Sequence, residues 1–279
     1  MGATARTGWS CRPDVFYNGH GRVYFIKGMH VADMSDLIPS DEAVVAATRR
    51  LAAHDWAGVG ADLAHHGCAV LKQALEPEEC RNIAALYARP ERFRSHIQMA
   101  RFGFGKGEYR YLNYPLPALI GGLRAALYGR LAGVANTWNA SMGVERRYPP
   151  AHDDFLRQCH ERGQTRPTPL ILQYDAGDFN CLHQDLYGEM VFPLQVAFLL
   201  SQPGRDFSGG EFVLTEQRPR MQSRVEVVPM AQGDAVVFPV HHRPVQGARG
   251  VYRVNMRHGV SRVRSGRRHA LGIIFHDAT

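Results

Sequence analysis

Residues 170–200 read LILQYDAGDFNCLHQDLYGEMVFPLQVAFLL. Two apolar runs of strand length, Leu170–Tyr174 and Phe192–Leu200, enclose the turn Asp175-Ala176-Gly177-Asp178 and the polar triplet His183-Gln184-Asp185. In extended backbone, residues i and i+2 project from the same face, so the His183 imidazole and the Asp185 carboxylate converge on one point. The same texture continues downstream. Apolar runs at Glu211–Thr215, Val225–Val228, Ala235–Val240 and Ala270–Phe275 alternate with Ser208-Gly209-Gly210, Gln232-Gly233-Asp234 and Ser265-Gly266. Many short strands joined by glycine-rich turns predict an antiparallel sandwich or barrel over residues 167–279.

Working back toward the N-terminus, the period changes. Ser40-Asp41 offers a helix start, and apolar positions including Val45, Leu51, Trp56 and Leu63 carry a helical pattern from Glu42 to about His66. Gly67 ends it, and Cys68–Leu71 reads as a short strand. Further helices are expected from Pro77 through Tyr87, from Pro117 to Leu131 and from Pro150 to Arg162. The expectation is one α+β domain over 34–279, with 34–166 mainly helical support and 167–279 the β core. Residues 1–33 show no period and read as an irregular tail.

Composition limits the function classes. With 279 residues, 45% of them hydrophobic and 21% charged, the chain is long and apolar enough to bury a core, which excludes a disordered or fibrous protein. No apolar run reaches the roughly 18–20 residues of a membrane span, and the start lacks a basic-then-apolar leader. The five cysteines (Cys11, Cys68, Cys80, Cys159, Cys181) are odd in number and form no CxxC pair, so neither a disulfide framework nor a zinc ribbon is indicated and a reducing cytoplasm fits. The net charge of +7 is concentrated. Between Arg218 and His269 there are eleven Arg against Glu226 and Asp234, a basic stretch of the kind that receives phosphates. Only Lys27, Lys72 and Lys106 are lysines, so base composition is the plainer source of that richness.

His-x-Asp needs a chance estimate before it is used. Fourteen His and fourteen Asp give roughly 0.7 such triplets by random placement, and the chain contains two. In His152-Asp153-Asp154 the surroundings are helical, where positions i and i+2 point about 200° apart, so that triplet reads as solvated surface. His183-Gln184-Asp185 lies in extended surroundings, and a histidine from a later strand would complete a two-His, one-carboxylate face. Such a face leaves half an octahedron open on non-haem Fe(II). His258 follows Asp185 by 73 residues, and Arg268 follows His258 by ten, at the head of an apolar strand. His241 and His242, with Arg249 eight and seven residues on, compete for the third position; the spacing and the strand after Arg268 favour His258. His65-His66 and His276-Asp277 read as helix-end and terminal residues.

The order His183/Asp185, Gly209–Phe212, Gly233–Phe238, His258, Arg268 resembles the 2-oxoglutarate- and Fe(II)-dependent dioxygenases over residues 168–279. The resemblance implies a double-stranded β-helix (jelly roll) with the N-terminal helices packed on it. It implies Fe(II) on His183, Asp185 and His258, which would be the catalytic centre, and 2-oxoglutarate and O2 as co-substrates. Arg268 matches the arginine that pairs with the distal carboxylate of 2-oxoglutarate, a bidentate task suited to guanidinium. Tyr174 matches a position that helps hold that co-substrate.

The substrate is read from Arg92–Tyr114, RFRSHIQMARFGFGKGEYRYLNY. It interleaves Arg94, Arg101, Lys106 and Arg110 with Phe102, Phe104, Tyr109, Tyr111 and Tyr114, and Gly103, Gly105 and Gly107 suggest a flexible loop. Cations for phosphates and aromatic faces for unstacked bases suit single-stranded nucleic acid, with Arg101, Lys106, Tyr109, Arg110 and Tyr111 as candidate substrate residues. The plainer alternative is a hairpin over the barrel mouth with its aromatics in the core. The closing stretch from His258 to Ala278, with the Phe102–Pro117 loop, resembles a bacterial oxygenase family predicted to demethylate damaged DNA bases. That resemblance implies AlkB-type oxidative demethylation of alkylated bases, with single-stranded DNA or another nucleic acid as partner. The Tyr174-to-Asp185 region also resembles prolyl hydroxylases, which keeps a protein or small-molecule hydroxylase open. A non-catalytic anion-binding jelly roll is the third reading. Nothing in the sequence gives an oligomeric state.

Overall fold

The computed structural model describes residues 41–279, together with an antiparallel pair of two-residue strands, β1 (Phe16–Tyr17) and β2 (Val23–Tyr24). Those strands apart, the tail expected over 1–33 lies outside the described residues, as does Ser40 as a cap. Met1–Ile38 and Pro39–Thr279 are separate compact units.

Two antiparallel sheets form the centre of the second unit. One runs β3 (Ala69–Leu71), β13 (Ala235–Pro239), β9 (Leu194–Leu199), β16 (Val263–Ile274), β7 (Leu170–Asp175), β6 (Glu108–Leu112), β4 (Phe93–Gln98), with β10 (Phe207–Gly209) also on β16. The other runs β12 (Arg224–Val228), β11 (Phe212–Gln217), β15 (Gly250–Val260), β8 (Phe179–His183), β5 (Gly105–Lys106), with β14 (His242–Gly247) also on β15. The period of two assigns each side chain a layer. Leu194, Val196 and Phe198 of β9 join the large core shared with the helices, while Ala197 and Leu199 pack in clusters that include residues of the second sheet. Phe212 and Leu214 of β11 meet Val236 and Phe238 of β13 in one of those clusters, which joins the two sheets.

The helices cover the outer face of the first sheet. They are α1 (Asp41–Ala52), α2 (Trp56–His65), α3 (Pro77–Ala85), α4 (Ala118–Ser141) and α5 (His152–Glu161). The single helix expected over 42–66 is two, because Asp55 takes an N-cap geometry and its side chain accepts from the Gly58 amide at 3.0 Å. The helix expected to stop at Leu131 runs on to Ser141, since Leu131, Ala135 and Trp138 continue its buried stripe.

Over 41–166 the elements are mainly helical, with β3, β4 and β6 extending the first sheet and β5 the second. Two expectations need correction. The Arg92–Tyr114 stretch is mostly paired strand, and its glycines serve close approach rather than looseness. Gly105 (φ 127°) lies where a Cβ would sit 2.4 Å from the Phe179 carbonyl oxygen, and at Gly107 (φ 123°) one would meet the Tyr174 ring at 2.9 Å. Finally, His152 and the His276-Asp277 pair are buried, not surface or terminus. His152 Nε2 donates to the Phe275 carbonyl at 2.8 Å, and Asp277 pairs with Arg124 at 2.8 Å while accepting from Tyr114 and His160.

Candidate active site

His183 ends β8, and His258 lies directly opposite it on β15, so strand pairing sets two imidazoles side by side with ring centroids 4.1 Å apart. Asp185 follows on the same face, with Oδ1 3.6 Å from His183 Nε2 and Oδ2 3.2 Å from His258 Nε2. One donor atom from each of the three residues falls within a 4.8 Å cluster. His183 Nδ1 donates to the Cys181 carbonyl at 2.8 Å, which fixes the tautomer and leaves Nε2 with a lone pair toward the cluster. Tyr187 donates to Asp185 Oδ1 at 2.8 Å, and Tyr111 donates to the Tyr187 hydroxyl at 3.1 Å.

The electrostatics suit a dication. Burial alone would raise the Asp185 carboxyl, but the hydrogen bond with His258 and the charges of His258 and His183 outweigh it and hold it well below the usual carboxylate range. Burial, helped by His183, lowers the His258 imidazole despite the neighbouring Asp185. An ionised carboxylate beside a neutral imidazole is the protonation state that metal binding requires.

A cavity of about 230 Å³ opens from this cluster between the sheets. Arg268 lines it, 3% exposed, with no hydrogen-bond partner for Nε or Nη1. Its guanidinium carbon sits 5.6 Å from the Tyr174 ring centre, and Tyr174 is its register partner on β7. The fully buried Tyr174 accepts from Asn180 Nδ2 at 3.4 Å.

The remaining sequence candidates divide. Tyr109 and Tyr111 line the cavity, as does Phe104, whose ring stacks on the exposed Phe102 at 5.5 Å. Arg101 is exposed on the short helical turn Met99–Phe102, and Lys106 lies 3.5 Å from Asp178. Arg110 is elsewhere. It lies over the Tyr87 ring at 4.4 Å with Nη1 on the Tyr87 carbonyl, so it packs the back of β6 instead of facing the cavity. His241 and His242, their rings 3.4 Å apart, line a separate cleft with Arg253. Nor is the Arg218–His269 stretch one free basic surface. Arg218, Arg224 and Arg243 all close on Glu216, and Arg267 on Asp175. Sequence reasoning passes over Tyr187 and Gln195. Tyr187 stands two residues after Asp185, a spacing that signals the same face; Gln195 is the lone polar residue within Phe192–Leu200.

Residues 107–278 match the model of a family described as "Oxygenase, catalysing oxidative methylation of damaged DNA". Two uncharacterised proteins of Mycobacterium tuberculosis, from strains CDC 1551 / Oshkosh and ATCC 25618 / H37Rv, are 51% identical over 164 residues, 59% of this chain and 70% of theirs. A Trichoplax adhaerens prolyl hydroxylase, solved with a hypoxia inducible factor peptide fragment, superposes with TM-score 0.52 and 15% identity over 85% of this chain and 93% of its own. An oxidoreductase of the 2OG-Fe(II) oxygenase family from Burkholderia pseudomallei gives 0.50 and 18% over 81% and 93%. At those identities the likeness is one of fold. The fold family implies Fe(II), 2-oxoglutarate and O2, and the residues present fit them. Two imidazole nitrogens and a carboxylate suit the iron, and a buried guanidinium with unpaired N–H groups suits a dicarboxylate. The chain belongs to the oxygenase family so described.

Proposed function

We propose that this protein is a dioxygenase that removes N-alkyl groups oxidatively from bases in nucleic acid, with a jelly-roll core. The sheet order supports that core: taking β7, β8, β9, β11, β12, β13, β15 and β16 in sequence, the strands distribute four to each sheet as a jelly roll requires. His183, Asp185 and His258 would hold the iron, and Arg268 with Tyr174 would hold 2-oxoglutarate. Iron with 2-oxoglutarate and O2 supplies the oxidising power to insert one oxygen atom into a C–H bond, giving succinate and CO2.

The chain's own residues do the rest. Arg268, with Nε and Nη1 unpaired in the cavity wall, would receive the distal carboxylate of 2-oxoglutarate. Tyr187 holds Asp185 Oδ1, which orients the carboxylate with Oδ2 toward His258 Nε2 and the triad. Tyr109, Tyr111 and Phe104 exclude water and offer flat apolar faces to a planar ring. On an N-methyl group the outcome is a hemiaminal, N–CH2OH, whose collapse releases formaldehyde and leaves N–H on the base. The observation that carries the reading is that the His183–Asp185–His258 triad and Arg268, with its unpaired Nε and Nη1, line one cavity with aromatic side chains, in a family described by damaged DNA.

The test is mass spectrometry of single-stranded oligonucleotides carrying N-methylated bases, incubated with protein, Fe(II), 2-oxoglutarate and ascorbate, with proline-rich peptides in parallel. Loss of a methyl group with release of formaldehyde, absent in His258→Ala, is expected. A peptide gaining one oxygen while the oligonucleotides stay unchanged would replace this function with protein hydroxylation.

A further inference from the structure

Among the described residues lining the cavity, three carry a buried side-chain nitrogen without a protein partner: His258, Arg268 and Gln195. The co-substrate accounts for Arg268, and the His258 atom is Nδ1, on the other side of the ring from the Nε2 that meets Asp185. Gln195 is 3% exposed, and its Nε2 is left over. Other cavity amides are engaged: Gln184 donates to Asn255 Oδ1 and the Met256 carbonyl, and Asn180 to Tyr174. A buried amide nitrogen without a partner has lost its hydration without compensation, a cost that a ligand acceptor would offset.

Strand register says which end of the cavity Gln195 occupies. Gln195 on β9 pairs with Ile274 on β16, whereas Arg268 lies six residues earlier on that strand. Six extended residues span about 20 Å, too far for one small dicarboxylate on Arg268 to reach. The triad lies between the two. Asn180, beside Tyr174, pairs with Val260 two residues beyond His258 on β15, so the triad is one step from the Arg268 end. On its other side the His258 ring lies 4.7 Å from Phe238, which pairs with Gln195 on β13. Tyr111 and Tyr187 line the same cavity, with their hydroxyls committed to each other and to Asp185. The cavity therefore has a co-substrate end at Arg268 and, across the triad, an aromatic end whose unsatisfied polar group is one carboxamide.

We propose that Gln195 determines substrate specificity: its amide reads the polar edge of an extruded base by donating to a ring nitrogen or exocyclic carbonyl. This rests on the proposed action on nucleic-acid bases. A primary amide matches the adjacent donor and acceptor of a base edge, and a site built to bond a polar group rejects analogues that lack it.

The experiment compares wild type, Gln195→Leu and Gln195→Glu on a panel of oligonucleotides differing only in which N-methylated base they carry. Equilibrium binding by fluorescence anisotropy is measured beside kcat and KM, with thermal melts to establish folding. Gln195→Leu is expected to flatten the preference among bases at least tenfold, mostly through weaker binding and higher KM. Gln195→Glu, which can only accept, is expected to shift the preference toward bases presenting a donor. A folded Gln195→Leu protein that ranks the bases as wild type does overturns this inference and leaves the proposed function standing. If both variants lose the fold, Gln195→Met supplies the comparison under the same criterion. Wild type that acts on none of the oligonucleotides overturns the proposed function and this inference with it.

Discussion

Arg268 shows how much chemistry one side chain can state. Its guanidinium is buried with two unpaired nitrogens, an arrangement that a carboxylate accepting at both oxygens satisfies. Arg268→Lys keeps the charge but not the fork, and it is expected to weaken equilibrium binding of 2-oxoglutarate at least tenfold. Unchanged affinity in that variant would show that the co-substrate binds elsewhere. Tyr187 makes a different prediction, since it touches Asp185 and not the ligand. Tyr187→Phe should lower affinity for a divalent metal about tenfold, in line with the loss of outer partners at other metal sites. Metal titration followed by isothermal calorimetry reads this directly, without any turnover. An affinity equal to wild type would mean that Asp185 needs no second anchor.

At the scale of elements, β5 decides whether the aromatic hairpin reaches the cavity. Gly105 pairs with Asn180, and its backbone approach to Phe179 leaves no room for a Cβ. Gly105→Ala should break the β5–β8 pairing, withdraw Phe104 from the cavity, and raise substrate KM several-fold while 2-oxoglutarate affinity holds. Wild-type KM in the alanine variant would disconnect β5 from the site. This element also marks the limit of what the sequence makes legible. His183 and Asp185 can be read because two residues in extended chain share a face, and His258 and Arg268 because their order and spacing resemble the dioxygenase pattern. Within Arg92–Tyr114 the reading of a loose loop fails, since short strands rich in charged and aromatic residues show no clean alternation and glycine at a close approach looks the same as glycine in a turn. Gln195 is hidden for another reason. A single polar residue in an apolar run declares burial, but only the register opposite Ile274 says what it faces.

For the whole molecule, the deciding contacts join distant parts of the chain across the fold. Arg124 of α4 and Asp277 beyond β16 are fully buried, and Arg124 also donates to the Ile274 carbonyl at 2.9 Å. Sequence reasoning takes His276-Asp277 for a terminus because their partners lie far away along the chain. Removing one member leaves the other as an uncompensated charge, so Asp277→Leu should destabilise by about 3–5 kcal/mol. The double variant Arg124→Met with Asp277→Leu should recover part of that loss, as chemical denaturation would show. A double variant no more stable than the single would mean that Arg124's bonds to the backbone matter more than the charge pair.

The pH dependence of stability comes from the same buried layer. Burial, with nearby Arg124, pushes His152 down to about 3 and His276 to about 4, while burial and Arg267 push His269 to about 4. All three lie below the ordinary value of 6.5, so the unfolded chain binds more protons than the folded one once the pH falls below about 6.5. Their contribution is intact above that pH and is lost as the pH falls toward 4, on the order of 1 kcal/mol per pH unit for each group. Asp277 works in a separate window, because the charge of Arg124 and the hydrogen bonds from His160, Arg124 and Tyr114 outweigh burial and hold its carboxyl below 3.8. Its stabilisation therefore persists through the histidine range and fails only in stronger acid. Melting temperature measured from pH 8 to pH 3 should be level above 7, fall steeply between 6 and 4, and fall further below. His152→Asn, whose amide can still donate toward the Phe275 carbonyl but does not titrate, should make the first fall shallower without moving the second. A wild-type melting temperature that stays level down to pH 4 would mean these imidazoles are not held neutral by the fold.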